Sequence, residues 1–459
     1  MAPPADPIRT AFLAEKLSDS LSAPLPDATT RRIHGRVTLP GRATAVIGMR
    51  RAGKTTFLHQ ARRERLSKGV PRWRLPYLNL EDERLDGMTS GDLGAVVEEY
   101  YRKHPAARGR ETVTWCLDEI QTVPGWERFV RRLLDAEKVE VFLSGSSAAL
   151  LSREISTAMR GRAWEVVLHP FGFGEALRHA GHPAPAPGGV PSAAGRSAIE
   201  SDFLDYLAAG GFPEAQGLDA GTRHRMLRDY VDVAMMRDVV ERHGVTQVTA
   251  LRWLVRHLLG NAAAMFSVEK FHAALRSQGL AIGKNTVHEM LGYLEDCFLV
   301  RTVWLDSASE RRRMVNPRKA YPVDPGLIPV FDRAGRANVG RALETAVLLE
   351  LERRGCDVAY VRTPEGHEVD FLARRPDGRR DLVQVAADAA DPATADREIR
   401  SLVEAGRAYP GAGKRLLTAT RNALPSRVPR GIVAQPAYEW LLDDGGGAAP
   451  GVAGRAARP

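Results

Sequence analysis

The chain has 459 residues, 44% of them hydrophobic, and a formal net charge of +9. That length suggests two to four domains, and no apolar run reaches the roughly 18 residues of a membrane-spanning helix. The first residues, MAPPADPIRTAFLAEKLSDS, lack the basic-then-apolar order of a secretory signal. Cys116, Cys297 and Cys356 show neither paired nor metal-ligand spacing, so a reduced, cytoplasmic setting without membrane attachment is expected. The positive charge permits nucleic-acid binding. Nearly all of it is Arg, beside abundant Ala, Gly and Pro, as a GC-rich coding bias would produce, so it carries little weight.

Residues 1–40 are Pro-interrupted and polar, with one amphipathic stretch at IRTAFLAEKL, and read as a helical or irregular N-terminal segment. Residues 41–180 alternate short apolar runs with longer amphipathic ones. ATAVIGM, RLPYLNL, TVTWCLDEI and VEVFLSGSS are predicted buried strands, and this alternation argues for an α/β fold: a parallel sheet with helices on both faces.

Between the first strand and the predicted helix KTTFLHQARRERL lies GMRRAGKT, residues 48–55, which fits GxxxxGK[ST]. In such a loop backbone N–H groups turn inward at phosphate oxygens, and the helix directs its positive end at the same anion. Gly48 opens the turn and Gly53 permits close approach. Lys54 supplies a cation for the outer phosphates and the Thr55 hydroxyl a ligand for Mg²⁺. Arg51, Ala52 and Thr56 complete the candidate phosphate contacts.

TVTWCLDEIQ ends an apolar strand in two carboxylates. Asp118 is expected to hold Mg²⁺ with Thr55, and Glu119 to polarise an attacking water. The next strand ends in Ser144, Ser146 and Ser147; Ser146 is the candidate for a hydroxyl at the γ-phosphate. Arg160 and Arg162 are candidates for a charge-stabilising finger, in cis or from a neighbouring subunit.

Together GMRRAGKTT, YLNLEDERL, LDEIQTVPGWE, SGSSAALLSREISTAMRGR and AGGFPEA resemble the bacterial and archaeal predicted ATPases that join an AAA-superfamily core to a C-terminal domain of unknown function. The resemblance spans roughly residues 30–390. It implies ATP and Mg²⁺ at Gly53, Lys54, Thr55 and Asp118, with Glu119 catalytic, and favours Arg162 over Arg160 because a Gly-Arg pair follows the sensor strand. The family's biological roles are mostly undefined.

Residues 181–198, GHPAPAPGGVPSAAGRSA, read as a flexible insertion, and 199–246 as a helical region. Residues 247–330 read as a winged helix, with Leu275, Leu280, Val287, Leu291 and Leu294 as its apolar face. Lys284, Asn285, Thr286 and His288 would begin the recognition helix, but Glu289, Glu295 and Asp296 on it would repel phosphates. A stronger basic patch is Arg311, Arg312, Arg313, Arg318 and Lys319, able to hold a nucleic-acid backbone; a solvated loop is the alternative.

Residues 338–443 look like a restriction-endonuclease-type core, with Glu344, Asp370 and Gln384 at the metal positions and His367 and Glu368 beside them. Such a site needs clustered carboxylates and a Lys two positions after the last ligand. Here Gln384 is neutral and that position is Ala386, so the cleavage chemistry is incomplete. Residues 444–459 are expected to be disordered. ATP hydrolysis is thus expected, coupled to DNA or to assembly with protein partners or further copies of the chain; an ATP-regulated nuclease is a third reading.

Overall fold

The computed structural model describes residues 6–35, 37–145, 159–182, 192–332 and 338–443. Ser146 and Ser147, half of the expected insertion and the C-terminal tail lie outside the described residues.

The first sheet has five strands: β1 Ala43–Ile47, β2 Tyr77–Asn79, β3 Val113–Asp118, β4 Val139–Gly145 and β5 Ala163–Val167. They run in the order β2-β3-β4-β1-β5, and all pairings are parallel. All residues of β1 and β3 are buried, as continuous apolar runs require when both faces are covered. Alternation sorts them: Val46, Cys116 and Phe142 pack on the helix Lys54–Ser67 through Phe57, Leu58 and Ala61. Ala45, Trp115, Leu117, Val141 and Leu143 face the opposite core. There the helix Trp126–Ala136 buries Trp126, Phe129, Val130 and Leu133, one stripe at helical spacing.

The N-terminal segment forms the helix Pro7–Ser22, capped by the Asp6 carboxylate on the Ile8 N–H at 2.9 Å and anchored by Leu13 and Leu17.

The expected insertion is shorter than its composition suggests. The helix Ala193–Ala209 begins inside it, capped by Ser192 on Gly195 N–H at 3.1 Å, because Ile199, Phe203, Tyr206 and Leu207 supply an apolar stripe to bury. Beyond it lie Ala220–Val233, a π-helical stretch Ala234–Glu241, then Val248–Gly260, Val268–Ser277 and Lys284–Asp296. On Val248–Gly260, Trp253 is 49% exposed.

The second sheet adds β6 Met265–Phe266, β7 Val300–Leu305, β8 Arg318–Pro322, β9 Asp357–Arg362, β10 Glu368–Arg374, β11 Arg380–Ala386, β12 Gly413–Thr418 and β13 Ile432–Pro436. Their order is β13-β12-β11-β10-β9-β7-β8-β6. β9, β10 and β11 are antiparallel, β11, β12 and β13 parallel. A parallel pairing of β7 with β9, Trp304 opposite Ala359, carries the sheet across the boundary expected near residue 338. The helices Val339–Arg353 and Pro392–Ala408 flank it.

The GGFPEA motif has a packing cause. The Asp324 carboxylate, after β8, accepts from Gly211 N–H at 2.6 Å and Gly326 N–H at 2.8 Å. A Cβ at Gly211 would meet Phe171 O at 2.0 Å and one at Gly326 would meet Ala209 O at 2.3 Å, so backbones touch where side chains cannot. Asp324→Ala is expected to cost about 2–6 kcal/mol, since two buried N–H groups lose their acceptor at about 1–3 kcal/mol each. Urea unfolding followed by circular dichroism checks this; a shift under about 0.5 kcal/mol would refute it.

Candidate nucleotide site

After Ile47 the chain turns at Gly48, whose φ is +149° and whose added Cβ would lie 2.2 Å from Leu168 O. Only glycine fits. Arg51 follows at φ +66° and Gly53 at φ +96° begins the helix Lys54–Ser67. Lys54 is buried, and its ammonium donates to Gly48 O at 3.0 Å and Met49 O at 3.1 Å. It thus closes the loop on itself, with a helix N-terminus behind it. Ala52 is buried beneath the loop, Thr56 is half-buried and Thr55 is exposed at the mouth.

Asp118, the last residue of β3, is buried; it accepts from the Tyr77 hydroxyl at 2.8 Å and from the Ser144 hydroxyl. Glu119 sits in the left-handed region at φ +54°. Its N–H donates to Ser144 Oγ at 3.1 Å, and its carboxylate accepts from the Gln121 amide. Burial pushes the Glu119 carboxyl up while the Lys54 ammonium draws it down. Burial likewise lowers Lys54, opposed by Glu119 and Asp118. Ser144, one of the three serines flagged, is a buried bridge between the acidic residues. The buried Asp118 carboxylate and the exposed Thr55 hydroxyl are hard-oxygen donors of the kind Mg²⁺ takes.

Three ion pairs around the loop had no sequence signal. Arg50, inside the loop, reaches the π-helical stretch: its Nε lies 3.1 and 3.0 Å from the two oxygens of buried Asp238. Arg51 pairs with Glu214 at 3.2 Å. Arg31, from the N-terminal segment, is buried against the loop, donating to Ala52 O at 2.7 Å and pairing with Glu175 at 3.2 Å. Irregular helical turns recur at functional sites, but no local pattern could have matched Arg50 to Asp238, 188 residues away.

Arg162 does not reach this site in cis. Its carbonyl accepts from Ala43 N–H at 2.9 Å at the start of β1, whereas the loop follows the end of β1, roughly 15 Å away at about 3.3 Å per residue. It pairs with Asp135. Arg160 and Arg162 line one cavity with Arg128, Arg131 and Arg132 at that far edge.

The expected basic patch also disperses. Arg311 and Arg312 are exposed, Arg313 pairs with Glu310 at 2.8 Å, and Arg318 stacks on Trp304, its guanidinium 3.6 Å from the ring centre. Lys319 is buried elsewhere. On the helix Lys284–Asp296, Lys284 is held by Glu269 at 2.5 Å, while Asn285 and His288 are exposed and Thr286 half-buried. Val287, Leu291 and Leu294 are buried as expected.

In the last region Asp370 N–H donates to Gln384 Oε1 at 3.3 Å and Asp370 Oδ2 accepts Val385 N–H at 3.0 Å. His367 pairs with Glu404 at 3.6 Å, away from Asp370's partners. Among the described residues no group of three His, Cys, Asp or Glu is placed to hold a metal, and no helix is long and apolar enough to cross a membrane.

A phosphate-loop turn at the end of a central parallel strand, one strand removed from a strand that leads into two acids, is the arrangement of a P-loop fold, which implies nucleotide binding. Residues 40–177 match a family model described as an AAA domain, and 200–336 match a domain of unknown function. An uncharacterized protein of Methanocaldococcus jannaschii is 30% identical over 372 residues, 80% of this chain and 79% of that protein. The chain belongs to the family of that archaeal protein. An uncharacterized protein of Haemophilus influenzae is 28% identical over 72% of this chain and 79% of its own. Among solved structures, the Walker-type ATPase paby2304 of Pyrococcus abyssi aligns with a TM-score of 0.39 at 15% identity, over 70% of this chain and 94% of that chain.

Gly48→Ala is expected to weaken binding of a fluorescent ATP analogue at least about tenfold, or about 1.4 kcal/mol, because its methyl group would displace the loop from Leu168. Gly292→Ala, with nothing within 4 Å of its Cβ, is the control and should bind as wild type does.

Proposed function

We propose that the protein binds ATP with Mg²⁺ at Gly48–Thr56 and hydrolyses it, using the cycle as a conformational switch. The observation that carries this is the shared edge of the sheet: the loop after β1 and the Asp118–Glu119 pair after β3 open on the same side, with buried Lys54 between them in charge. Successive N–H groups of the loop cradle phosphate oxygens. The Lys54 ammonium exchanges Gly48 O and Met49 O for them. Thr55 and Asp118 would hold Mg²⁺, which supplies charge neutralisation on the phosphates when bound. Tyr77 and Ser144 keep the Asp118 oxygens oriented, and Glu119 accepts the proton of the attacking water.

What the turnover drives is read from Arg50. Its tie to Asp238 links the phosphate loop to the helical region, so phosphate occupancy competes for a side chain that also holds the π-helical stretch. This favours a switch acting on protein partners or further copies of the chain, where Arg160 and Arg162 would serve a neighbouring subunit's site. The second reading is DNA coupling. It is supported by the helix–helix–strand–strand order of residues 268–322, as in a winged helix, and by exposed Arg311 and Arg312. Burial of Lys319 and pairing of Lys284 weigh against it. For residues 338–443, the order helix, three antiparallel strands, helix, strand supports a nuclease-like core.

Steady-state ATP hydrolysis with and without duplex DNA decides between these. Glu119→Gln should retain nucleotide binding and lose at least about 100-fold in kcat, the range of a lost general base; Lys54→Ala should lose binding. Wild-type turnover indifferent to DNA supports the switch; turnover raised by DNA supports the second reading. If wild type and both variants are equally silent and none binds ATP, the proposal fails. Because burial holds the Glu119 carboxyl above its ordinary 4.5 and only its ionised form accepts a proton, kcat should rise with pH along an acid limb lying above 4.5. Glu119→Gln should remove that limb.

A further inference from the structure

Lys319 lies on β8, 4% exposed, 25 residues before Glu344 and 51 before Asp370. Its Nζ is 2.7 Å from Asp370 Oδ1, 2.9 Å from Glu368 Oε1 and 3.0 Å from Glu344 Oε1. The three protons of the ammonium thus face three carboxylates: one from the helix Val339–Arg353 and two from β10. Two further donors reach the cluster. The Tyr321 hydroxyl donates to Glu344 Oε1 at 2.7 Å, and Asp370 Oδ2 is taken by Val385 N–H. Gln384 Oε1 accepts from Asp370 N–H, and its amide donates to Glu398 at 2.7 Å, so neither end is free for a metal. Burial alone would lower Lys319, but Asp370, Glu344 and Glu368 outweigh it and keep it charged.

These residues do not fit a divalent ion as they stand. Carboxylates converging on one point are what Mg²⁺ or Mn²⁺ requires, at roughly 2.1 Å per oxygen. That point is held by a covalently tethered monovalent cation, which would repel a second. We infer that the acidic site of the C-terminal region is a metal-independent site whose cation is the Lys319 ammonium, contributed by β8 from outside that region. This deepens the nuclease-like reading of residues 338–443 and is independent of the P-loop. It accounts for the tolerance of Gln384 and Ala386: with the cation supplied by Lys319, neither a third carboxylate on β11 nor a lysine after it is needed to balance charge. It also makes the site a tie between the two parts of the second sheet, beyond the β7–β9 pairing.

The test is Mn²⁺ binding followed by electron paramagnetic resonance, on the full chain without nucleotide. Wild type and Glu368→Gln are expected to bind Mn²⁺ indistinguishably, because the site does not take it. Glu368 is the most exposed of the three carboxylates, with a 30% accessible side chain, so this variant should fold. Lys319→Met is expected to gain one Mn²⁺ site at least tenfold tighter than any in wild type, abolished again in Lys319→Met/Glu368→Gln. A wild-type Mn²⁺ site lost in Glu368→Gln would overturn the inference, as would folded Lys319→Met that gains none. Should Lys319→Met not fold, the wild-type and Glu368→Gln comparison decides alone. An ATPase that fails to hydrolyse ATP leaves this result untouched, so the two readings fail separately.

Discussion

The parallel register of β1, β3 and β4 is the constraint on which the rest of the molecule depends. Thr44 stands opposite Phe142 and Cys116 opposite Phe142 on its other side, so Ile47, Asp118 and Gly145 end at one edge. In a parallel sheet the free backbone groups and the helix N-termini collect at that edge. The phosphate loop, the two acids and the Ser144 bridge meet there without any long side chain having to reach. The same geometry removes Arg162 from the site, since its position before β5 puts it at the other edge. Gly48 beneath Leu168 is the tightest point in this arrangement, where a single methyl group has no space.

From that edge, buried ion pairs connect the loop to its surroundings. Arg31 with Glu175 and Arg50 with Asp238 are largely withdrawn from water. Such pairs gain little net stability over apolar contacts, because desolvation offsets their attraction, but breaking one partner is strongly unfavourable. They therefore fix which segments lie against the loop more than they hold the fold together. The N-terminal segment and the helical region are thus both tied to the phosphate loop.

Charge runs mean something different once strand geometry acts on them. Arg318 and Lys319 are neighbours in the sequence, but successive side chains on a strand point to opposite faces. One stacks on Trp304 at the surface and the other enters the acidic cluster. What reads as one basic patch is two unrelated contacts, and the surface left for an anionic backbone is smaller than the composition implies. Continuity of β7 with β9 likewise turns two expected domains into one sheet, with Asp324 and its glycines sealing the join to the first.

Local pattern in the sequence determined much of this protein. The apolar runs of β1 and β3 gave strands buried on both faces, the Gly48–Thr55 spacing gave the loop, and the stripe from Trp126 to Leu133 gave its helix. Val287, Leu291 and Leu294 sorted themselves inward in the same way. These features follow from periodicity and backbone sterics, which act over a few residues. Only the tertiary structure decided that Asp238 answers Arg50, that Arg31 supports the loop, that Trp253 stays exposed, and that Lys319 enters the cluster of Glu344, Glu368 and Asp370. Each depends on segments tens to hundreds of residues apart meeting at a few ångströms, and such meetings leave no trace in local spacing. A buried Lys and a solvated one are the same letter until the carboxylates around it are known.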